Sequence, residues 1–222
     1  MHNDPSDVAR LVSEMKRALP DDLKEWPGGW PGKIEAALMD AVLSIRASYG
    51  QGHNGVRGAI AGWRTKRRGE SLDDLEAIAH IDGESLAEII GNHQRLSGGK
   101  LKAAAIIEAA QNLCSAGVRH AIDLDVPTVD HKAAYVSVHG LGPVTWSYFL
   151  MLLGRRDVKP DTWIIRFVEQ ALDRTVAPTE AQDLLRDTAR QMDIPASTLD
   201  HRVWSHMRAQ AKWRRRRTGS QT

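Results

Sequence analysis

The chain has 222 residues, a formal net charge of +2, 42% hydrophobic residues, 26% charged residues and one cysteine. This composition is typical of a globular chain that buries a full core without disulfides or a structural metal. The single Cys114 excludes an intramolecular disulfide and a four-cysteine iron–sulfur cluster. No segment approaches the roughly 20 consecutive apolar residues that span a bilayer, and the acidic first residues differ from a signal peptide. We therefore expect a cytoplasmic protein without a membrane partner.

Apolar residues recur at helical spacing almost throughout the chain, and the alternation typical of strands is nearly absent. Prolines and acidic residues precede several apolar runs and glycines follow them, as is usual at helix ends. The pattern predicts an all-α fold. To within a few residues at each end, the eleven predicted helices are 5–19, 33–48, 54–67, 71–80, 84–91, 99–116, 128–138, 143–153, 161–173, 179–192 and 198–213.

Three segments interrupt this helical pattern. Residues 26–32 (WPGGWPG) indicate a turn-rich linker between the N-terminal helix and the main body. Residues 64–68 (RTKRR) and 212–217 (KWRRRR) are basic clusters. Each basic cluster alone is typical of a solvated surface, whereas both on one face would favour a polyanionic partner.

The most informative motif is the tetrapeptide HGLG at residues 139–142, between two apolar helical segments. Its two glycines allow a sharp turn while Leu141 fills the junction. Peptide N–H groups at the start of the next helix can then bind an anion such as a DNA phosphate without reading a base. An ordinary helix–helix turn is the alternative for this motif alone. The predicted phosphate-binding hairpin comprises His139, Gly140, Leu141, Gly142, Val144 and Thr145.

The continuation of the hairpin resembles the helix-hairpin-helix, Gly/Pro-Asp (HhH-GPD) superfamily of DNA glycosylases, in its branch without an iron–sulfur cluster. An apolar helix from Val144 to Leu153 is followed by a polar turn and then by KPDTW at residues 159–163. Asp161 lies 19 positions after Gly142, close to the spacing in that family. The resemblance implies an all-α, two-lobed fold with the active-site cleft between the lobes.

Weaker similarity extends over residues 35–210. Residues 43–48 (LSIRAS) resemble the family's early helix end, where a polar side chain enters the duplex beside the target base. Residues 92–102 (NHQRLSGGKLK) resemble a loop that presents a wedge to the gap left by the flipped nucleotide. Residues 1–32 and the basic tail match nothing in the family. The duplex wedge implied by this resemblance comprises Arg46, Asn92, His93 and Gln94.

The resemblance assigns Asp161 as the catalytic carboxylate. Cleavage of the C1′–N bond develops positive charge on the sugar, and a fixed carboxylate stabilises that transition state more than the ground state. The same carboxylate can orient or deprotonate the attacking water. The alternative is that Asp161 only caps a helix, since aspartate is a favoured N-cap residue.

This sequence departs from the family's bifunctional members at Val144, where those members carry a lysine that attacks the sugar. Valine cannot act as a nucleophile. The departure predicts a monofunctional enzyme that uses water and leaves an abasic site. Lys159 and Lys132 are the nearby lysines that could replace the missing one.

Relatives that remove alkylated bases imply where the base pocket lies. The chain has seven tryptophans, so core packing is the alternative for any single aromatic residue. The predicted pocket residues are Val144, Tyr148, Trp163, Trp30 and Tyr49.

The predicted organisation has residues 1–32 as an N-terminal helix and linker, 33–213 as the glycosylase body and 214–222 as a basic tail. Lobe one spans about 54–153, and lobe two combines 33–53 with 154–213. These expectations describe a monofunctional glycosylase that flips a damaged or modified base out of double-stranded DNA, in repair or in defence against modified phage DNA. We expect a nucleoid-associated monomer that needs no metal or other cofactor. The alternatives are a non-catalytic helix-hairpin-helix DNA-binding module and a bifunctional enzyme that uses another lysine.

Overall fold

The computed structural model describes residues 4–19, 28–47, 55–155 and 158–218, apart from the side chains at 212 and 214–218. This part contains eleven α-helices and no strand, which confirms the predicted all-α class. The helices are α1 Pro5–Ala18, α2 Ile34–Leu43, α3 Gly55–Lys66, α4 Glu76–Ala79, α5 Gly83–Ile90, α6 Lys102–Ser115, α7 Val129–Val136, α8 Pro143–Leu152, α9 Thr162–Leu172, α10 Pro178–Gln191 and α11 Ala196–Thr218. A short 3₁₀ helix, Ala121–Leu124, precedes α7. None of the described helices combines the length and apolar character that a membrane span requires.

Two compact units divide the chain. The continuous unit is Gly28–Gly154, and the discontinuous unit combines Met1–Pro27 with Arg155–Thr222. The first division falls inside the WPGGWPG segment, between Pro27 and Gly28.

The continuous unit is built around α2. All ten residues of this helix are buried, because it packs against α8, α3 and α6. A helix that is apolar nearly all round needs partners on every side. The sequence placed residues 33–53 with the helices that follow Asp161, and the structure corrects this grouping for α2.

In the discontinuous unit, α1 packs against α9 and α10. Its apolar residues Val8, Leu11 and Met15 recur at helical spacing and are buried in the same core as Ile164 and Phe167. Residues 1–32 were predicted to be an N-terminal helix and linker that precede the body. Instead α1 is part of the core of this unit, since its apolar stripe is buried there.

Two predicted helices are shorter in the structure because their backbones bind distant partners. The helix expected over 71–80 is reduced to Glu76–Ala79. The preceding residues pair with α2 instead: the Glu35 N–H donates to the Leu72 carbonyl at 3.0 Å, and the Asp74 N–H donates to the Glu35 carboxylate at 3.0 Å. The helix expected to reach residue 48 ends at Leu43.

Candidate functional site

A tight hairpin joins α7 to α8 in the continuous unit. Gly140 has a φ of +93°, and a Cβ there would lie 2.9 Å from the Leu96 side chain, so the turn requires glycine. Leu141 is only 7% exposed and fills the junction, as expected. The two helices are joined by a cluster of aromatic rings with centroids 5.3 to 5.8 Å apart, Tyr135, Trp146 and Phe149.

Backbone N–H groups of the hairpin divide into two sets. The Leu141 N–H donates to the Val138 carbonyl at 3.0 Å and the Gly142 N–H donates to Thr145 Oγ1 at 2.9 Å, so these two residues shape the turn. Anion binding therefore depends on the remaining N–H groups and on the positive end of the α8 dipole. The N–H groups without a hydrogen bond to any described residue include those of Gly140, Val144 and Thr145.

The loop of residues 92–101 lies against the hairpin turn. A Cβ at Gly98 would lie 2.5 Å from His139 Cε1, so the histidine ring covers this glycine. Gly98 also has a φ of +97°. The loop closes through the Leu96 N–H, which donates to the Lys100 carbonyl at 2.8 Å. Two segments that the sequence singled out separately are therefore neighbours in the structure.

The same loop is tied to the end of α2 by the buried Lys102. Its Nζ donates to the carbonyls of Leu43 at 2.9 Å and Ile45 at 2.7 Å, and to Gln94 Oε1 at 2.8 Å. Arg46 follows directly and is exposed, with a φ of +53°. The structure thus places Arg46 and Gln94 on linked segments.

The other two predicted wedge residues flank Gln94. Asn92 Oδ1 accepts a hydrogen bond from the Gln94 N–H at 3.0 Å. His93 Nε2 lies 3.6 Å from Glu88 Oε1 on α5. Insertion of these residues into a duplex remains a prediction.

Two of the predicted pocket residues meet at an acid that sequence reasoning missed. Asp40, only 2% exposed, accepts hydrogen bonds from Trp30 Nε1 at 2.9 Å, Ser44 Oγ at 2.9 Å and the Tyr148 hydroxyl at 3.2 Å. Val144, half-buried, lies one helical turn before Tyr148 on α8. Tyr49 lies outside the described residues.

Asp161 is the N-cap of α9 in the discontinuous unit. Its Oδ1 accepts hydrogen bonds from the N–H groups of Trp163 at 2.8 Å and Ile164 at 3.1 Å. Its Oδ2 accepts no hydrogen bond from any described residue and lies 4.0 Å from Lys159 Nζ. The side chain keeps 16% of its exposure. The capping interpretation therefore accounts for one oxygen, while the other oxygen can still bind a ligand.

The segment before α9 is anchored within its own unit. The Lys159 N–H donates to Asp200 Oδ1 at 2.9 Å, and Asp200 is 5% exposed. Trp163 packs partly against the core, and the Arg166 guanidinium carbon lies 5.6 Å from the centroid of its ring. Core packing thus accounts for part of the Trp163 surface, and its place in a base pocket stays a prediction.

One residue of the first basic cluster is half-buried, whereas residues 64–66 and 68 are exposed. Arg67 in the first cluster binds the buried Glu35 carboxylate, with Nε and Oε2 3.3 Å apart, and so supports the core. The second cluster lies within α11, which continues to Thr218 where a separate tail was expected from residue 214.

Sequence reasoning missed three buried charged residues of the continuous unit, Glu35, Asp40 and Lys102. Glu35 and Asp40 interrupt the otherwise apolar run Ile34–Leu43, and an acid inside such a run signals a specific hydrogen-bonding partner. Burial raises the pKa of Glu35, while hydrogen bonds from the Trp63 indole and the Asp74 N–H oppose this increase. Burial lowers the pKa of Lys102.

Residues 9–208 match the model of a family described as "Domain of unknown function (DUF8548)". No curated protein matches the sequence.

Two solved structures resemble this chain over 94% of its length. One is the H. pylori 3-methyladenine DNA glycosylase MagIII bound to 1,N6-ethenoadenine, with a TM-score of 0.59, 16% identity, and coverage of 94% of this chain and 98% of that chain. The other is MBOgg1 in complex with a low-affinity DNA ligand, with a TM-score of 0.56, 16% identity, and coverage of 94% and 72%. This likeness establishes the fold as the helix-hairpin-helix fold of DNA glycosylases.

Proposed function

The chain belongs to the family described as domain of unknown function DUF8548, and since that description names no activity, we propose from the fold and the site that it is a monofunctional DNA glycosylase. In this proposal it flips a damaged or modified base out of double-stranded DNA and hydrolyses the N-glycosidic bond. The fold it shares with a glycosylase solved with 1,N6-ethenoadenine supports a modified base as the substrate class. Repair and defence against modified phage DNA both fit this chemistry.

The observation that carries the proposal is the carboxylate of Asp161. Two backbone N–H groups fix its Oδ1, and its Oδ2 takes no hydrogen bond from a described residue. As the C1′–N bond breaks, the base leaves with the electron pair and positive charge develops on the sugar. A fixed carboxylate stabilises that charge without reorganising. Water then forms the new bond to C1′, and Asp161 accepts its proton or orients it.

The hairpin supplies the phosphate contact in this proposal. The N–H groups of Gly140, Val144 and Thr145 have no described partner. Those of Val144 and Thr145 lie in the first turn of α8, at the positive end of its dipole. Such contacts position the backbone and carry no base specificity. Flipping a base costs a few kcal/mol, which backbone contacts and stacking offset.

A matched pair of aspartates tests Asp161. Asp82 caps α5 in the same way, because its Oδ1 accepts from the Glu84 N–H at 3.1 Å and the Ser85 N–H at 2.9 Å. Asparagine caps helices about as well as aspartate. We expect Asp161→Asn to lower excision at least about 100-fold while Asp82→Asn leaves it unchanged.

The measurement uses duplexes that each carry one alkylated, etheno, oxidised or mismatched base, followed by alkali to cleave abasic sites. If both asparagine variants excise as fast as the original chain, Asp161 is only a cap. If the original chain binds duplexes with a strong salt dependence but excises nothing, the non-catalytic DNA-binding module is the better description.

Lys159 supports the bifunctional alternative, because its Nζ lies 4.0 Å from Asp161 Oδ2. Lys132 is exposed on α7. Valine at position 144 favours the monofunctional reaction. Borohydride should therefore trap no covalent adduct between the protein and abasic DNA. An adduct that disappears in Lys159→Ala would establish the lyase activity instead.

A further inference from the structure

Among the described residues of the continuous unit, Lys102 is the most deeply buried cation. The residue is 2% exposed, and its ammonium group has three protons to donate. Three oxygens receive them, the carbonyls of Leu43 and Ile45 and the amide oxygen of Gln94, at 2.7 to 2.9 Å. No described acidic side chain forms an ion pair with it. Its charge is instead compensated by the carbonyl end of α2, where a helix dipole is negative.

These contacts fix the path of the chain on both sides of Lys102. Leu43 and Ile45 lie three positions and one position before Arg46, whose φ of +53° is rare for a residue with a side chain. The Lys102 N–H also donates to the Gln94 carbonyl at 2.9 Å, so one residue holds both the backbone and the side chain of Gln94. The Gln94 amide oxygen is thereby occupied, which leaves its NH₂ group as the donor.

The loop that contains Gln94 is also held against the hairpin. Leu96 lies against Gly140 and the His139 ring covers Gly98. The loop therefore has two anchors, Lys102 toward α2 and the glycine contacts toward the hairpin.

We propose that Lys102 is a positioning residue that holds Arg46 and Gln94 as one rigid edge, which enters duplex DNA where the target base leaves the stack. This inference rests on the proposed glycosylase function. Lys102 does not act as a nucleophile in it, because all three of its protons are engaged and a Schiff base requires a free amine. Its effect is confined to duplex substrates, because single-stranded DNA has no gap to fill.

The test compares Lys102→Met with Lys100→Met. Lys100 lies in the same loop and carries the same charge, but it pairs with Glu108 on α6 and not with the end of α2. For each variant, excision of one modified base is measured in duplex and in single-stranded DNA. We expect Lys102→Met to lower duplex excision about tenfold or more while single-strand excision changes less than about twofold. Lys100→Met should change neither rate.

Equal losses on both substrates would show a merely structural role and would overturn the proposal, as would an unchanged duplex rate. Lys102→Met leaves three acceptors unpaired and can fail to fold. In that event, Gln94→Ala, which removes an exposed partner of Lys102, should give the same selective loss on duplexes. An unselective loss with this variant would also contradict the proposal.

A second readout does not depend on excision. Duplexes that carry 2-aminopurine beside the target position increase in fluorescence when a base is unstacked. The original chain and Lys100→Met should produce this increase, and Lys102→Met should bind with unchanged salt dependence but without it. A chain that unstacks the base yet never excises it would overturn the glycosylase proposal alone, whereas an increase retained in Lys102→Met would overturn the positioning role alone.

Discussion

Asp40 and Asp161 are both fixed carboxylates, but their surroundings are built in opposite ways. Asp161 is held by the N–H groups two and three residues ahead, within its own helix. Asp40 binds side chains 4, 10 and 108 positions away. Asp161 keeps 16% of its side-chain exposure, while Asp40 is 2% exposed. Locally held Asp161 is suited to act on a ligand, and Asp40 is suited to fix the rings of Trp30 and Tyr148.

Asp40→Ala is the substitution for which we expect the largest loss of stability. The change leaves three donors, the Trp30 indole, the Ser44 hydroxyl and the Tyr148 hydroxyl, without their common acceptor. We expect the free energy of unfolding to fall by about 3 kcal/mol. For a chain of this size, that loss lowers Tm by about 6 to 12 °C. Thermal and urea denaturation measure it.

Asp40→Asn is the matched control for Asp40→Ala. Asparagine keeps one acceptor oxygen and the size of the side chain, so its cost should be well under half that of alanine. If the alanine variant lost less than about 1 kcal/mol of unfolding free energy, water would replace Asp40 as the acceptor. The distant contacts of Asp40 would then not distinguish it from Asp161.

The same difference explains which features could be predicted. The Asp161 cap and the hairpin depend on residues close in sequence, so proline, glycine and aspartate at short spacing were enough to find them. The end of α2, the shortened α4 and the roles of Glu35, Asp40 and Lys102 depend on partners that include residues 28 to 108 positions away. Spacing cannot identify such partners. An acid inside an apolar helix only indicates that one exists.

The units to which α2 and α1 belong could not be predicted for the same reason. The place of α2 depends on the helices that surround it, α8, α3 and α6, and these follow it at very different distances along the chain. The N-terminal helix α1 likewise finds its partners in α9 and α10, near the other end. Amphipathic spacing predicts that each helix is buried, but not against which partner.

A smaller effect comes from removing the two caps. Asp161→Ala and Asp82→Ala each delete one Oδ1 that accepts two backbone N–H groups. We expect Asp161→Ala to lower the free energy of unfolding by about 1 kcal/mol, and Asp82→Ala, at an exposed site, to lower it by no more than that. Urea denaturation at neutral pH compares the two. If Asp161→Ala alone lowered the free energy of unfolding by more than about 3 kcal/mol, distant contacts would hold Asp161 as they hold Asp40.

The smallest effect is in the pH dependence of stability, where Glu35 and Asp82 should have opposite signs. Burial raises the pKa of Glu35 above its usual value, so the folded chain binds a proton more tightly than the unfolded chain. Its contribution is fully present below a pH of about 4.5 and is lost as the pH rises through the higher folded value. Hydrogen bonds from Ser85, by contrast, lower the pKa of Asp82 below 3.8. Its contribution is present above 3.8 and is lost as the pH falls.

Urea denaturation of the original chain, Glu35→Gln and Asp82→Asn from about pH 3 to pH 7 separates these contributions. The stability of the original chain relative to Glu35→Gln should decrease as the pH rises, because only the glutamate must lose a proton inside the core. Its stability relative to Asp82→Asn should decrease as the pH falls, because protonation weakens the carboxylate as an acceptor. Slopes of the same sign would show that Glu35 is kept ionised by Arg67, and the buried acid would then behave like a surface cap.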